Sequence, residues 1–239
     1  MKNMGYDVTP ITIITTYYNN REFLESFIED FKKINLIYPE LKLLVIDDGS
    51  KEHPASSFCE AFEGFNLYTI TEDIGFNSHG ARNLGVEIST THWNLLIDVD
   101  YDLSSVRFDI LTELDFSEDT VYMLDVNAFL TNKTVYMSCH GYDEEFYNMH
   151  FGDRIFTSYI KRKFKTVYPL PRAPRVKRGK WKVIRSEDVD ITTYEGNVMK
   201  HPAHVDKRKF AVTDMVRERY KTENFDSKPI LNFRWEKTF

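Results

Sequence analysis

Trp93-Asn94-Leu95-Leu96-Ile97 runs apolar into two carboxylates spaced i, i+2, Asp98 and Asp100. A strand ending on such a pair offers hard oxygen ligands. A Mg2+ or Mn2+ held there keeps open positions for the oxygens of a diphosphate. The same short pattern also makes turns and helix caps, so its neighbours decide the reading. Thr16-Tyr17-Tyr18-Asn19 closes one β-branched run, and Asp47-Asp48-Gly49-Ser50 closes another. An aspartate beyond a strand accepts from a pyrimidine N–H or from ribose hydroxyls, and glycine lets the backbone approach a ligand. An ordinary turn is the competing reading of Asp47-Asp48-Gly49-Ser50. The stretch from Glu72 through Gly75 to Arg82 and Asn83 is a Gly-containing loop opening into a helix. Arg82 has the fork geometry that suits a phosphate, or it bridges Asp73 to the sheet edge.

The elements that must carry these residues alternate between β-rich runs and helical patterns, which argues for βαβ units and a mostly parallel sheet. Strands are predicted over residues 10–16, 41–46, 66–70 and 93–97, and helices over 21–34, 55–62 and 78–88. In the first helix Phe23, Leu24, Phe27, Ile28, Phe31 and Ile34 fall on one stripe, with Asn19 or Asn20 as its cap. Ligands of open parallel sheets bind outside the carboxyl ends of the strands. The three polar tips are therefore expected to converge, with those of the second and fourth strands side by side. Further on, residues 120–127 and 133–137 are expected to pair as an antiparallel hairpin turning at Thr131-Asn132, and 153–164 to form a helix. From Pro169 the Pro-rich, basic stretch keeps no period, which predicts an irregular extension of loops and short strands.

At 239 residues, 42% of them hydrophobic, the chain can bury a full core. No apolar run approaches the roughly 18 residues of a membrane span, and the first residues lack the apolar core of a signal peptide, so a cytoplasmic protein is expected. Cys59 and Cys139 stand far apart with no partner motif, which argues for buried free thiols. The net charge of −6 conceals an asymmetry: residues 161–185 hold eleven Lys and Arg and no acid, so removing them leaves −17 on the rest. A basic block on an acidic chain points to an anionic partner, or else forms a solvated surface.

In this order the motifs resemble those of the family 2 glycosyltransferases, inverting enzymes on the GT-A (Rossmann-like) fold. The resemblance rests on the Thr-Thr-Tyr-Tyr-Asn strand end, Val45-Ile46-Asp47-Asp48-Gly49-Ser50, Asp73-x-Gly75 through Ala81-Arg82-Asn83-x-Gly85, Asp98-Val99-Asp100, and Gly141-Tyr142-Asp143-Glu144-Glu145-Phe146. It implies a nucleoside-diphosphate sugar across the strand tips, involving Thr16, Tyr18, Asp47 and Gly75. Asp48 would meet the base, Asp98 the ribose or the metal shell, Asp100 the cation, and Arg82 the nucleotide. Asp143 and Glu144 would face the acceptor. The catalytic base would be Asp153, although Gly152 stands where the family more often has an acid; Asp143, Glu144 and Glu145 are the alternatives, and a helix cap is the plain reading of Asp153. Some GT-A enzymes draw a metal ligand from a C-terminal histidine, which brings in His201 or His204.

The expectation is thus a GT-A-like catalytic domain over residues 1–168 with a basic extension over 169–239 packed on it. It would use Mn2+ or Mg2+ and transfer a sugar to an acceptor hydroxyl, with residues 161–185 docking an anionic glycan, phosphorylated polymer or modified nucleic acid. A nucleotidyltransferase is the rival from another reaction class. It is disfavoured because Tyr17-Tyr18-Asn19-Asn20-Arg21 lacks the glycine of a triphosphate loop. A binding module that lost catalysis is the third reading.

Overall fold

Strands that are apolar at successive positions need cover on both faces, and the central strands here receive it. The computed structural model describes residues 9–72, 74–111, 113–114, 116–147, 152–168, 182–185, 189–194, 197–202, 205–226, 228 and 230–239, with backbone alone from 182 to 210. β1 (Ile11–Tyr17) lies between β2 (Lys42–Asp47) and β4 (Trp93–Ile97), parallel to both. β3 (Phe65–Ile70) continues in parallel beyond β2. On the other flank β6 (Ala128–Asn132) runs antiparallel to β4, β5 (Thr120–Asp125) antiparallel to β6, and β7 (Lys165–Val167) parallel to β5. β11 (Trp235–Lys237) closes the far edge against β3, giving the eight-stranded order β11-β3-β2-β1-β4-β6-β5-β7. A second, antiparallel sheet consists of β8 (Lys182–Arg185), β9 (Val189–Tyr194) and β10 (Asn197–Pro202).

The two-residue period of the strands sorts their side chains into two cores. Ile13, Tyr17, Leu43, Val45, Leu95 and Ile97 pack with Leu24, Phe27 and Phe31 of α1 (Arg21–Asn35), whose first turn is capped by the Asn20 side chain accepting from Phe23 N. Ile14, Leu44, Ile46 and Leu96 face the other core, built by α2 (Ser78–Ile88), α4 (Lys133–Ser138), α5 (Gly152–Lys163) and α6 (Val205–Thr222). A single turn, α3 (Phe108–Leu111), buries Phe108 and Leu111 on the α1 side. Each large apolar side chain removed from water in this way contributes about 1.5–3 kcal/mol. Gly85 lets α2 lie directly on β1, because a Cβ there would stand 2.4 Å from Ile14 Cγ2.

Several expected elements differ. The predicted helix over 55–62 is one 3-10 turn, Ala55–Ser57, because the Asp47 carboxylate accepts Ala55 N and Phe58 and Phe62 then turn into the α1 core. The hairpin exists, but it turns at Val126-Asn127, and its second strand is β6 rather than residues 133–137. Asn132 ends that strand and caps α4 by accepting Val135 N at 2.7 Å, so a β-prone stretch becomes a helix that buries Val135 and Tyr136. The tips of β2 and β4 share one end of the sheet but flank β1 instead of adjoining. The tail has its short strands and, in addition, the 18-residue α6, which no sustained apolar period announces. No helix among the described residues is long and apolar enough to cross a membrane. Cys59 and Cys139 are free, and burial pushes each thiol up to about 12.

Candidate active site

Because β2 and β3 lie to one side of β1 and β4 to the other, the strand order reverses at β1, and a crevice opens there outside the carboxyl ends. The loop after β2 is tied down first. Asp47 is fully buried, and its carboxylate accepts Ser50 N at 2.9 Å and Ala55 N at 2.7 Å. Burial raises its pKa against the pull of those bonds. Asn19, in the left-handed region at φ 53°, donates its N–H to Ser50 Oγ, and its Oδ1 accepts Glu52 N and His53 N, joining the tip of β1 to the same loop. Asp48 is 2% exposed and accepts Asn77 N at 2.5 Å, which stitches the β2 tip to the loop before α2. In that loop Gly75 takes φ 82°, and Phe76 meets Tyr18 edge-on at 6.5 Å, with Thr16 half-buried on the neighbouring strand.

Arg82 is the hinge of the site. Its guanidinium is almost wholly buried, lies 5.1 Å over the Tyr142 ring, and donates through Nη2 to Asp98 Oδ1 and through Nη1 to Asp153 Oδ1. A planar fork is the side chain that can hold two carboxylates together. Asp98 Oδ2 also accepts from Asn127 Nδ2 at 2.9 Å. Burial is the largest single influence on the Asp153 carboxyl and pushes it up, but the charges and hydrogen bonds of Arg82 and His79 together outweigh it and leave that carboxyl well below the usual range and ionised. His79 is 2% exposed, and its Nε2 lies 3.7 Å from Asp153 Oδ1, with the ring against Tyr142 and Phe146. A Cβ at Gly152 would stand 2.6 Å from that ring, so the absence of a side chain before Asp153 makes room for the imidazole.

Two further candidates are engaged in the core. Asp143 is 2% exposed and pairs with Arg219 of α6. Glu144 accepts from Asn83 Nδ2, Leu231 N and Asn232 N, and burial raises its pKa against those bonds. Asp73, His204 and residues 169–181 lie outside the described residues, as does the side chain of His201. Pairing sequence motifs missed His79 and Asn127 and gave Asn83 no role. The signal for His79 is its place three residues before Arg82, one helical turn away on the same face.

The donor set at the β4 tip fits a divalent cation in kind. Asp98 and Asp100 offer only hard oxygen, Asp98 already engages Arg82 and Asn127, and Asp100 is half-exposed where Tyr101 N closes a turn on Asp98 O. Among the described residues no group of three His, Cys, Asp or Glu is placed to hold a metal ion, so a cation here would complete its shell with ligand or water oxygens.

An open, mostly parallel sheet with ionic strand tips at the point where its order reverses defines the class: α/β proteins that hold a ligand at the carboxyl end of the sheet. Within that class residues 12–185 match Glycosyl transferase family 2, and the chain belongs to that family. It is 24% identical over 140 residues to the teichoic acid poly(glycerol phosphate) polymerase of Staphylococcus epidermidis, a match covering 58% of this chain and 19% of that one, so it spans about a fifth of that relative's length. The fold is the GT-A type. It is similar to mannosyltransferase PcManGT from Pyrobaculum calidifontis, solved in complex with GDP-Man and Mn2+, at a TM-score of 0.54 and 13% identity over 71% of this chain and 59% of that one. It is likewise similar to S. aureus TarS, residues 1–349, at a TM-score of 0.52 and 12% identity over 69% and 59% of the two chains.

Proposed function

We propose that the protein is an inverting, divalent-metal-dependent glycosyltransferase that moves a sugar from a nucleoside-diphosphate sugar to an acceptor hydroxyl. The observation that carries this reading is the single guanidinium of Arg82 bridging Asp98 at the β4 tip to Asp153 at the start of α5. A donor-side carboxylate and an ionised carboxylate of the kind a base requires thereby share one crevice. Family membership and the GDP-Man and Mn2+ bound by the similar mannosyltransferase support the same reading.

In this mechanism Asp48, Thr16 and Tyr18 line the tip where the base and ribose lie, while Asp47 acts through the loop it holds. Mn2+ or Mg2+ would be held by Asp100 with Asp98, and His204 is a further candidate ligand. When bound, such a cation supplies charge neutralisation for the leaving diphosphate. Asp153 takes the proton of the acceptor hydroxyl as its oxygen forms a bond to the anomeric carbon. The bond from that carbon to the phosphate oxygen breaks on the opposite face, its electron pair leaving on the nucleoside diphosphate. A carboxylate held low by Arg82 is a weak base. A donor diphosphate competes for Arg82, draws it from Asp153 and raises the basicity of Asp153 as the substrates assemble. The eleven Lys and Arg of residues 161–185 favour an anionic acceptor.

The test is a panel of nucleotide sugars with Mn2+ or Mg2+, scored for nucleoside diphosphate release and for the anomeric configuration of the product. Asp153→Asn is expected to reduce transfer by about 100-fold or more while donor affinity holds or rises, because Arg82 loses the carboxylate that competes with the diphosphate. Asp100→Ala is expected to abolish the metal response. Retained configuration in the product, or full activity of Asp153→Asn, would end the proposal.

A further inference from the structure

The transfer step leaves one buried imidazole unused. His79, in the first turn of α2, is almost wholly buried, and its Nε2 has no hydrogen-bond partner among the described residues. Buried polar nitrogens are normally paired, so an unpaired one beside an ionised carboxylate points to a second arrangement in which the bond is made. That carboxylate is Asp153. Nε2 stands 3.7 Å from its Oδ1, about half an ångström beyond hydrogen-bond reach. The ring is held in place, with the Tyr142 and Phe146 rings centred 5.1 and 5.8 Å away. A Cβ at Gly152 would stand 2.6 Å from both Cε1 and Nε2. Where the family more often has an acid, this chain has glycine, and the space holds the imidazole edge nearest the base.

His79 and Arg82 lie three residues apart on one face of α2 and address the same oxygen. Arg82 Nη1 donates to Asp153 Oδ1, and His79 Nε2 stands off that atom. Oδ2 accepts no hydrogen bond among the described residues, and a fifth of the Asp153 side chain is open to solvent, so this oxygen is left for an acceptor proton. The two donors differ in kind. A guanidinium holds a carboxylate by charge as well as by hydrogen bond and keeps it a weak base, whereas a neutral imidazole N–H supplies the hydrogen bond alone. A diphosphate that draws Arg82 away leaves Oδ1 without its strongest partner, and a carboxylate with no fixed partner is free to turn. The imidazole is already in place to stop that rotation, and a shift of about half an ångström completes the bond.

We infer that His79 is a positioning residue that takes over Asp153 Oδ1 when Arg82 turns to the donor diphosphate, keeping Oδ2 toward the acceptor hydroxyl. It rests on the glycosyltransferase reading for the diphosphate and the acceptor. His79 keeps its proton throughout, and the acceptor proton goes to Oδ2. The first test is NMR of the full chain labelled with 15N-histidine, titrated with Mg2+ and pyrophosphate, UDP or GDP. His79 is identified among the seven histidines by its absence in His79→Phe or His79→Gln. Its Nε2–H resonance is expected to move downfield as the diphosphate binds, and to stay in place in Asp153→Ala. The second test is kinetic. His79→Phe keeps a ring and removes the donor, so kcat should fall about 10- to 100-fold while KM for the donor stays within about twofold. His79→Gln returns an N–H and should recover kcat to within about fivefold of the native chain. An unmoved resonance, a native kcat in His79→Phe, or an equal loss in both variants would overturn the inference. Turnover of a nucleotide sugar with an unmoved resonance sinks the handover and leaves the transferase reading. A resonance that moves in a chain turning over no nucleotide sugar keeps the handover and sinks that reading, and a chain that binds none of the three diphosphates loses both.

Discussion

At the scale of single residues the site is a packing problem as much as an electrostatic one. His79 lies flat in the space that a side chain at position 152 would need, 2.6 Å from its ideal Cβ, and Phe146 closes the other side at 3.1 Å. Neither ring can retreat, since both are buried. Gly152→Ala is therefore expected to destabilise the protein by about 1–3 kcal/mol, the usual cost of overfilling a packed site. His79→Ala opens the space, so the double variant should recover at least ~1 kcal/mol relative to the sum of the singles. Urea denaturation of the four proteins measures this coupling. Strict additivity would mean that the imidazole is not what excludes a side chain before Asp153.

At the scale of elements, α2 is held to the segment after α4 by one amide. Asn83 Oδ1 accepts from Tyr136 OH at 2.7 Å and from Tyr142 N at 2.8 Å, while Nδ2 donates to Tyr142 O and to Glu144. All four capacities of the amide are used inside the core. Asn83→Ala strands four partners without water, and a loss of about 3–5 kcal/mol is expected in the same denaturation assay; a loss under ~1 kcal/mol would show that the network does not join these elements. The first four strands and the helices α1 and α2 were legible because each carries one clean period: two faces of alternating core in β1 and β2, one stripe in α1, and α2 found with its bounds as predicted. Legibility failed where a single side chain redirects the backbone, as Asn132 does in capping α4 and Asp47 in claiming Ala55 N. In the site, the residues on strand tips could be read, since position in the sheet gives them away. Asn127 and His79 could not, because what recruits them is the meeting of a hairpin turn and a helix face with Asp98 and Asp153.

For the whole molecule the question is what the C-terminal segment costs and what it holds. Lys228 reaches back to the α4 side, where its ammonium donates to His140 O and Gly141 O and lies over the Tyr220 and Phe225 rings. It is 9% exposed. Burial dominates over the favourable charges of Asp143 and Glu144, with Arg219 opposing, and lowers its pKa from 10.5 to about 8. The sign of the linkage follows directly. Below pH 8 the ammonium is charged in both states, and the folded one carries the full burial penalty, on the order of 3 kcal/mol. Between pH 8 and 10.5 the unfolded chain binds more protons than the folded one, so this group makes stability rise with pH. Buried Tyr136, Tyr142 and Tyr220 have raised pKa values and act in the opposite sense only as pH passes their ordinary value of 10. The buried thiols of Cys59 and Cys139, raised from 9 to about 12, act in that opposite sense already below pH 10, so Lys228 is read as a difference: between pH 8 and 10 unfolding free energy is expected to fall more steeply in Lys228→Met than in the native chain. Parallel profiles for the two proteins would place the charge of Lys228 in water rather than under the ring pair. The segment that carries Asn232 to Glu144 and Phe233 to α2 would then be less firmly anchored than its contacts imply.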